Sequence, residues 1–366
     1  MLLYNDRNSI LEVSWNMYSF KNDYSEGAHP RILHALLETN LVQEEGYGYD
    51  RHTAEAIHYI KQKINRDDID VHLLQGGTQT NLLAISAFLR PHEAVIAPST
   101  GHIFVNEAGA IENTGHKVIT VPSCEGKLKA EQIESVLSKH KDEHTVKPKL
   151  VYISNPTELG TIYKKSELME LRKVCNENRL LLFVDGARLA SAMASNANDL
   201  SLYELSSLVD SFYIGGTKNG ALLGEALVIC NDQLKEDFRY HIKQKGALLA
   251  KSRLLGIQFA ELFRDELYME LARHGNEMAA LLKTGLVELG YSFLVDSPTN
   301  QLFPILPDEE IEVLKKDFSF YVWEKVDDKH SAIRLITSWA TPEKEVIKFI
   351  DAVTRINKSR QVIHQM

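Results

Sequence analysis

"SFYIGGTKNGALLGEALV", residues 211–228, holds two apolar runs, SFYIGGT and GEALV, the first ending at Thr217 and the second resuming at Gly224. The gap is too short for a crossover helix, so one of these two strands is expected to run antiparallel. Upstream the spacing is different. VHLLQGG (71–77), AVIAPS (94–99), KVITVPS (117–123), KLVYISNP (149–156) and LLLFVDGA (180–187) read as short buried strands. Amphipathic segments such as AEQIESVLSKHKDEH (130–144) and KSELMELRKVCNENR (165–179) fall between most of them. Strands alternating with helices of ten or more residues predict an α/β fold with a mostly parallel sheet covered on both faces.

The texture changes after residue 247. LLGIQFAELFRDELYMELARHGNEMAALLKTGLVELG (254–290) reads as one long helix or two consecutive ones, and the remainder of the chain alternates strand, helix, strand, strand, helix. This predicts a large unit over 17–250, connecting helices over 251–290 and a small α+β unit over 291–366. Residues 1–16 stand ahead of these as an extension, either an upstream start or a disordered tail.

A chain of 366 residues with 44% hydrophobic and 25% charged content is globular in composition. Its net charge of −9 argues against a nucleic-acid surface and a polybasic membrane patch. No window approaches about 18 uninterrupted apolar residues, so no transmembrane helix is expected. The start lacks the basic flank and small-residue cleavage site of a signal peptide. Cys124, Cys175 and Cys230 are far apart and form no CxxC pair or metal spacing. They predict a reduced, cytoplasmic protein with buried thiols and no metal.

Ligands of open α/β sheets bind at the carboxyl ends of the strands. Three such ends carry unusual residues. In LLQGGTQTN (73–81), Gly76, Gly77 and Thr78 lead into a helix, which suits either an anion cup or an ordinary N-cap by Thr78. The sequence contains neither a P-loop nor a GxGxxG pattern, which argues against a nicotinamide oxidoreductase. In LLLFVDGARLA (180–190), Asp185 ends an apolar strand; the alternative is a D-G hairpin turn, although the residues after it look helical. A carboxylate there needs a cationic partner, either Arg188 or a ligand. In the opening stretch, Lys218 closes the next strand, where the bland alternative is a solvated turn lysine. An amine, a carboxylate and a phosphate cup at one sheet edge are what pyridoxal phosphate requires: a Schiff-base lysine, a partner for the pyridine nitrogen and a phosphate seat. Thr217 is a candidate for a further phosphate contact.

QGGTQTN (75–81), TGHIFVNEAGAIE (100–112), FVDGARL (183–189) and GGTKNG (215–220), in this order, resemble the threonine aldolase (beta-eliminating lyase) family. The resemblance runs from about Tyr18 to near the C-terminus. It implies the aspartate-aminotransferase-like fold (pyridoxal-phosphate fold type I), pyridoxal 5'-phosphate as cofactor, and cleavage of L-threonine, L-allo-threonine or a related 3-hydroxy amino acid to glycine and an aldehyde. It further implies that Lys218 is the Schiff-base lysine, Asp185 the pyridinium partner, Gly77 and Thr78 the phosphate loop, and His102 the residue stacked on the ring. Arg188, beside the cofactor, and Arg334 in AIRLITSW (332–339) would hold the substrate carboxylate. Asn22 in FKNDYSEGAHP (20–30) would stand where many members have a serine near that carboxylate. GYGYDRHT (46–53) resembles a loop completed across a dimer interface, so a cytoplasmic homodimer or homotetramer is implied.

One departure concerns the chemistry. ISNPTELGTIY (153–163) places Thr157 about where some members have a second histidine, and threonine is a poor base. The hydroxyl proton is then left to His102 or a bound water. β-Elimination, racemisation and transamination use the same machinery and stay open. So does a non-catalytic α/β protein that binds a phosphorylated ligand.

Overall fold

The computed structural model describes residues 17–364, and of 359–364 only the helical backbone. The expected extension over 1–16 lies outside the described residues. The first element among the described residues is a two-residue strand, β1 (Tyr18–Ser19). Seven strands then build the main sheet: β2 (Asp70–Leu74), β3 (Glu93–Pro98), β4 (Val118–Val121), β5 (Lys147–Ser154), β6 (Leu181–Asp185), β7 (Ser211–Gly215) and β8 (Glu225–Ile229). Their order is β2-β8-β7-β6-β5-β3-β4. Strand β8 is antiparallel to both neighbours, as the short gap after β7 requires, while β7, β6, β5, β3 and β4 run parallel.

Strands β3, β6, β7 and β8 are buried throughout, which is why they read as unbroken apolar runs rather than alternating ones. Successive side chains still go to opposite faces. Leu182 and Val184 join one core with Val151, Ile153, Phe212 and Ile214. Leu181 and Phe183 join the other with Leu150, Tyr152 and Tyr213. Helix Lys165–Glu177 shows how the flanking layer forms. Leu168, Leu171, Val174 and Cys175 lie three or four apart, so they make one buried stripe. Each buried leucine of this kind contributes about 1.5–3 kcal/mol. Of the three thiols, Cys175 is buried, whereas Cys124 is exposed, contrary to expectation.

The predicted helical run after residue 253 is two helices, Arg253–Phe263 and Leu267–Glu288. Beyond them lie β9 (Gln301–Leu302), β10 (Ile305–Pro307), β11 (Phe318–Ser319), β12 (Tyr321–Lys325) and β13 (His330–Ile336), with helices Asp308–Leu314 and Glu343–His364. Strand β13 is central and antiparallel to β9, β10 and β12.

The start of the chain packs differently from its placement in the large unit. Strand β1 pairs in parallel with β11, and Phe20 is fully buried among Leu282, Phe318, Phe320, Ile333 and Phe349. The Phe20 amide donates to Ser319 O (2.7 Å) and its carbonyl accepts from Ile336 N (2.9 Å). A backbone that lacks pairing partners nearby in sequence finds them at this edge.

Replacing Phe20 with alanine should destabilise the protein by about 3–5 kcal/mol, the cost of emptying a fully buried aromatic site. Urea unfolding monitored by circular dichroism checks this, with an unchanged slope expected.

Candidate active site

Parallel strands that end together bring their last residues to one edge. Ser154, the last residue of β5, is in register with Asp185, the last of β6, and Gly215, the last of β7, pairs with Glu225, the first of the antiparallel β8. These ends open onto a cavity of about 330 Å³, lined among others by Gly76, Gly77, Thr78, His102, Asp185 and Lys218.

Lys218 lies after β7 in a loop closed by glycines. The amides of Gly216 and Thr217 donate to Gly224 O at 3.0 and 3.1 Å, and Gly224 N donates to the Thr217 hydroxyl at 3.0 Å. A Cβ at Gly216 would lie 2.8 Å from that carbonyl and 2.9 Å from the Phe259 ring, so the loop can be this tight only with glycine. Among the described residues the Lys218 amine has neither a hydrogen bond nor an ion pair. Burial and then the Arg188 charge pull its pKa below the usual lysine value, against the opposing pull of Asp23, Asp185 and Glu225. Lys218 is half-buried by exposed area because it faces the cavity, yet protein surrounds it closely enough for burial to dominate.

Asp185 is 4% exposed and ends its strand without a hairpin. A Cβ at Gly186 would collide with the Tyr213 carbonyl, and helix Leu189–Ala194 comes next. The carboxylate accepts four hydrogen bonds. Tyr213 Oη (2.5 Å) and Ala187 N (3.0 Å) bond Oδ1; Tyr152 Oη (2.6 Å) and Asn81 Nδ2 (3.0 Å) bond Oδ2. Burial pushes its pKa up, but the two tyrosine hydroxyls outweigh this and hold it below the usual carboxylate value.

The expected Asp185–Arg188 partnership does not form. Arg188 instead makes a two-pronged bond to Asp23, Nε to Oδ2 (2.6 Å) and Nη2 to Oδ1 (3.0 Å), and Asn300 also donates to Asp23 (2.9 Å). Asp23 is buried, and Arg188 outweighs the desolvation that would otherwise raise its pKa, so it stays below 3.8. Asn22 uses its side-chain oxygen on Tyr24 N (3.1 Å) and Ser25 Oγ (2.9 Å), closing its own turn, and is not part of the cavity wall. Arg334 donates to Lys21 O (3.3 Å), and its guanidinium lies over the Tyr321 and Trp323 rings. Its buried Nε has no partner among the described residues, and burial, then the Arg188 charge, lowers its pKa.

Gly77 begins helix Gly77–Phe88, and the N-cap is Gly76, not Thr78. The first-turn amides have no partners within the helix and face the cavity through Gly76, Gly77 and Thr78. A Cβ at Gly77 would come within 3.1 Å of Tyr213 Oη. Thr217 lines the same cavity, with its hydroxyl tied to Gly224. His102 Nδ1 bonds Glu107 Oε1 (2.9 Å), which also accepts from Asn81 (2.7 Å). A chain of fixed polar groups therefore joins His102 to Asp185. Thr157 bonds Glu125 O (3.2 Å) and Thr161 Oγ1 (2.8 Å).

Pattern and spacing pointed to no role for Asp23, Asn81, Glu107, Tyr152, Glu158, Tyr213 or Glu225. Asn81 could have been found, since it lies four residues after Gly77 on the same helix face. The two tyrosines could not: in an apolar strand a tyrosine reads as core, and the direction of its hydroxyl is a tertiary fact.

The residues present fit pyridoxal phosphate. An unpartnered amine with a lowered pKa, an ionised carboxylate and open helix amides share one cavity. Comparison with known proteins agrees. The family profile for beta-eliminating lyases matches residues 27–308. A low specificity L-threonine aldolase of Pseudomonas aeruginosa is 32% identical over 331 residues, 89% of this chain and 94% of its own. A solved threonine aldolase structure from Leishmania major is 52% identical with a TM-score of 0.92, covering 93% of this chain and 99% of that one. A mutant aspartate aminotransferase of Thermus thermophilus is 15% identical with a TM-score of 0.69 over 93% of this chain and 91% of that one, which shows the shared fold alone.

The carboxylates lead to a pH prediction. A carboxyl whose folded pKa is depressed stabilises the fold above its unfolded value, here 3.8, and that stability is lost as pH falls through the folded value. Asp23→Asn should cost about 3–5 kcal/mol at pH 7 by stranding the Arg188 charge. It should also flatten the fall in stability below about pH 5. Urea titrations at pH 7, 5 and 3.5 check both.

Proposed function

The chain belongs to the beta-eliminating lyase family, and on that premise we propose that it is a pyridoxal-phosphate-dependent aldehyde-lyase. It cleaves L-threonine, L-allo-threonine or a related 3-hydroxy amino acid to glycine and an aldehyde. The observation that carries this reading is the unpartnered Lys218 amine sharing a cavity with the ionised Asp185. The names of the Pseudomonas and Leishmania relatives support the substrate class.

When bound, pyridoxal phosphate supplies an electron sink for the pair left on Cα as Cα–Cβ breaks. The chain's own residues do the rest. Burial and the Arg188 charge favour the neutral, nucleophilic form of Lys218. Asp185, kept ionised by its two tyrosines, offers a charge for the cofactor's pyridine N–H. Gly77 and Thr78 at a helix N-terminus, and Thr217 in the loop after β7, would hold the phosphate on amides and hydroxyls. His102, its ring fixed by Glu107, covers the cofactor face. Arg188 and Arg334 hold the substrate carboxylate. Two guanidiniums against the single charge of Asp23 leave one positive charge, which matches a monoanionic carboxylate. Asn22 acts only through the turn that places Asp23 beside Arg188.

The same reading makes the protein a cytoplasmic homodimer or homotetramer. Leu33 and Leu37, four apart on helix Pro30–Thr39, and Leu41 in the turn after it are exposed, Leu37 at 75% and Leu41 at 92%, and Tyr47 and Tyr49 of GYGYDRHT are exposed too. An apolar stripe of this kind suits a second copy of the chain. Among the described residues no helix is long and apolar enough to cross a membrane.

Incubation of the cofactor-loaded protein with threonine, allo-threonine and phenylserine should release glycine and an aldehyde, detected by chromatography and aldehyde trapping. Serine turned over to pyruvate, with no aldehyde from the other three, would replace cleavage with β-elimination. Lys218→Ala should lose the visible absorbance of the lysine-bound cofactor, and a borohydride-reducible band in that variant would remove Lys218 from the role.

A further inference from the structure

Cleavage of a 3-hydroxy amino acid needs a group that takes the hydroxyl proton, and Thr157 is not that group. Its hydroxyl is already bonded to Glu125 O and Thr161 Oγ1. The next residue, Glu158, lines the cavity with His102, Asp185 and Lys218. Ser154 Oγ (2.7 Å) and His102 N (3.0 Å) both donate to its Oε1, so the carboxyl is fixed in place. The other oxygen, Oε2, is out of reach of water and has no hydrogen-bond partner among the described residues. An orphaned buried acceptor is costly, and it is explained where a ligand brings the missing hydrogen.

Resting on the lyase reading above, the geometry points to the Glu158 carboxylate, turned so that Oε2 meets the cavity, as the acceptor of the substrate's hydroxyl proton. The O–H pair becomes the second bond of the aldehyde carbonyl as Cα–Cβ breaks. The Cα–Cβ pair stays on Cα, where a proton from solvent completes glycine, and Glu158 releases its proton to solvent after the aldehyde leaves, so it ends the cycle as it began. Its surroundings favour this step. Burial, helped by the Asp185 charge and opposed by the bonds from Ser154 and the His102 amide, raises the Glu158 pKa. A carboxylate so placed is a stronger base than one in water and is relieved of its charge on taking the proton. The charges of Tyr152 and Tyr163 couple to it, His102, tied to Glu107, bonds it through its amide, and Lys218 and Arg188 line the same cavity. His102 is the rival acceptor, but its ring is 37% exposed and its Nδ1 is committed to Glu107.

The test is Glu158→Gln, which keeps an oxygen for Ser154 and His102 but cannot accept the proton. Its kcat on threonine should fall about 10²–10⁴-fold. Exchange of the glycine α-hydrogen with D2O, which needs no hydroxyl acceptor, should stay within about threefold of the wild type. Wild-type kcat/KM should rise with pH through the raised carboxyl pKa, and E158Q should lose that limb. Glu158→Asp should restore part of the rate and the limb. Without substrate, the infrared spectrum of the wild type should show a protonated carboxyl that persists above the ordinary carboxylate range and is missing from E158Q. Two results would overturn the assignment: aldehyde release by E158Q within about threefold of wild type, or no infrared difference between the two proteins. A wild type that releases no aldehyde from any 3-hydroxy amino acid would overturn the lyase reading itself, an outcome distinct from an active wild type matched by E158Q.

Discussion

The charge on Asp185 is the constraint around which the site is arranged. A carboxylate only 4% exposed would take up a proton if left alone. Four donors prevent this, and each comes from an element that they thereby tie together: Tyr152 from β5, Tyr213 from β7, Asn81 from the helix after β2, and the backbone just past β6. The Tyr213 hydroxyl also explains why a side chain fits poorly at residue 77, where the same helix must expose its amides. Asn81 carries the ordering on to Glu107 and His102. Keeping one buried charge therefore places the Gly77–Phe88 helix, the strand ahead of Lys218 and the ring of His102 relative to one another.

Residues that are anomalous in their local setting were legible in the sequence. Asp185 and Lys218 each interrupt an apolar, glycine-rich run, and a charge at the end of a buried strand calls for a reason. Four of the seven strands of the sheet, β3, β6, β7 and β8, were legible because burial on both faces leaves unbroken apolar runs, and the antiparallel run of β8 because a short gap admits no helix. Partnerships were not legible. Arg188 lies three residues from Asp185 in sequence but bonds Asp23, 165 residues away, because the chain turns into a helix after Gly186. Asn22 and Asp23 are neighbours with interchangeable appearance. Only the turn decides that the amide closes on Tyr24 while the carboxylate goes inward. Glu158 was overshadowed by Thr157: both line the cavity, and nothing in the pattern tells that the threonine hydroxyl is already bonded while a carboxyl oxygen of Glu158 is left without a partner among the described residues.

The electrostatics around Arg188 and Arg334 obey a different rule from those of Asp185. There the protein supplies donors to keep a negative charge; here it leaves a positive charge only partly answered. Arg334 has a backbone carbonyl and two aromatic faces, and no carboxylate partner among the described residues. Its neighbour Arg188 weakens it further. Two like charges near each other are unfavourable, and an incoming anion relieves the strain at both.

The opening strand has a consequence for the integrity of the chain. Phe20 is sewn into the C-terminal sheet through Ser319 and Ile336, while Asp23 grips Arg188 beside the large sheet. Only two residues separate the two anchors, a leash of three Cα steps and about 10 Å at full stretch. A proteolytic nick between residues 20 and 23 would cut that leash. One sheet edge would then keep its short strand while Arg188 lost the closely held counter-charge that its burial requires, a lesion remote in sequence from Lys218 yet felt in the same cavity.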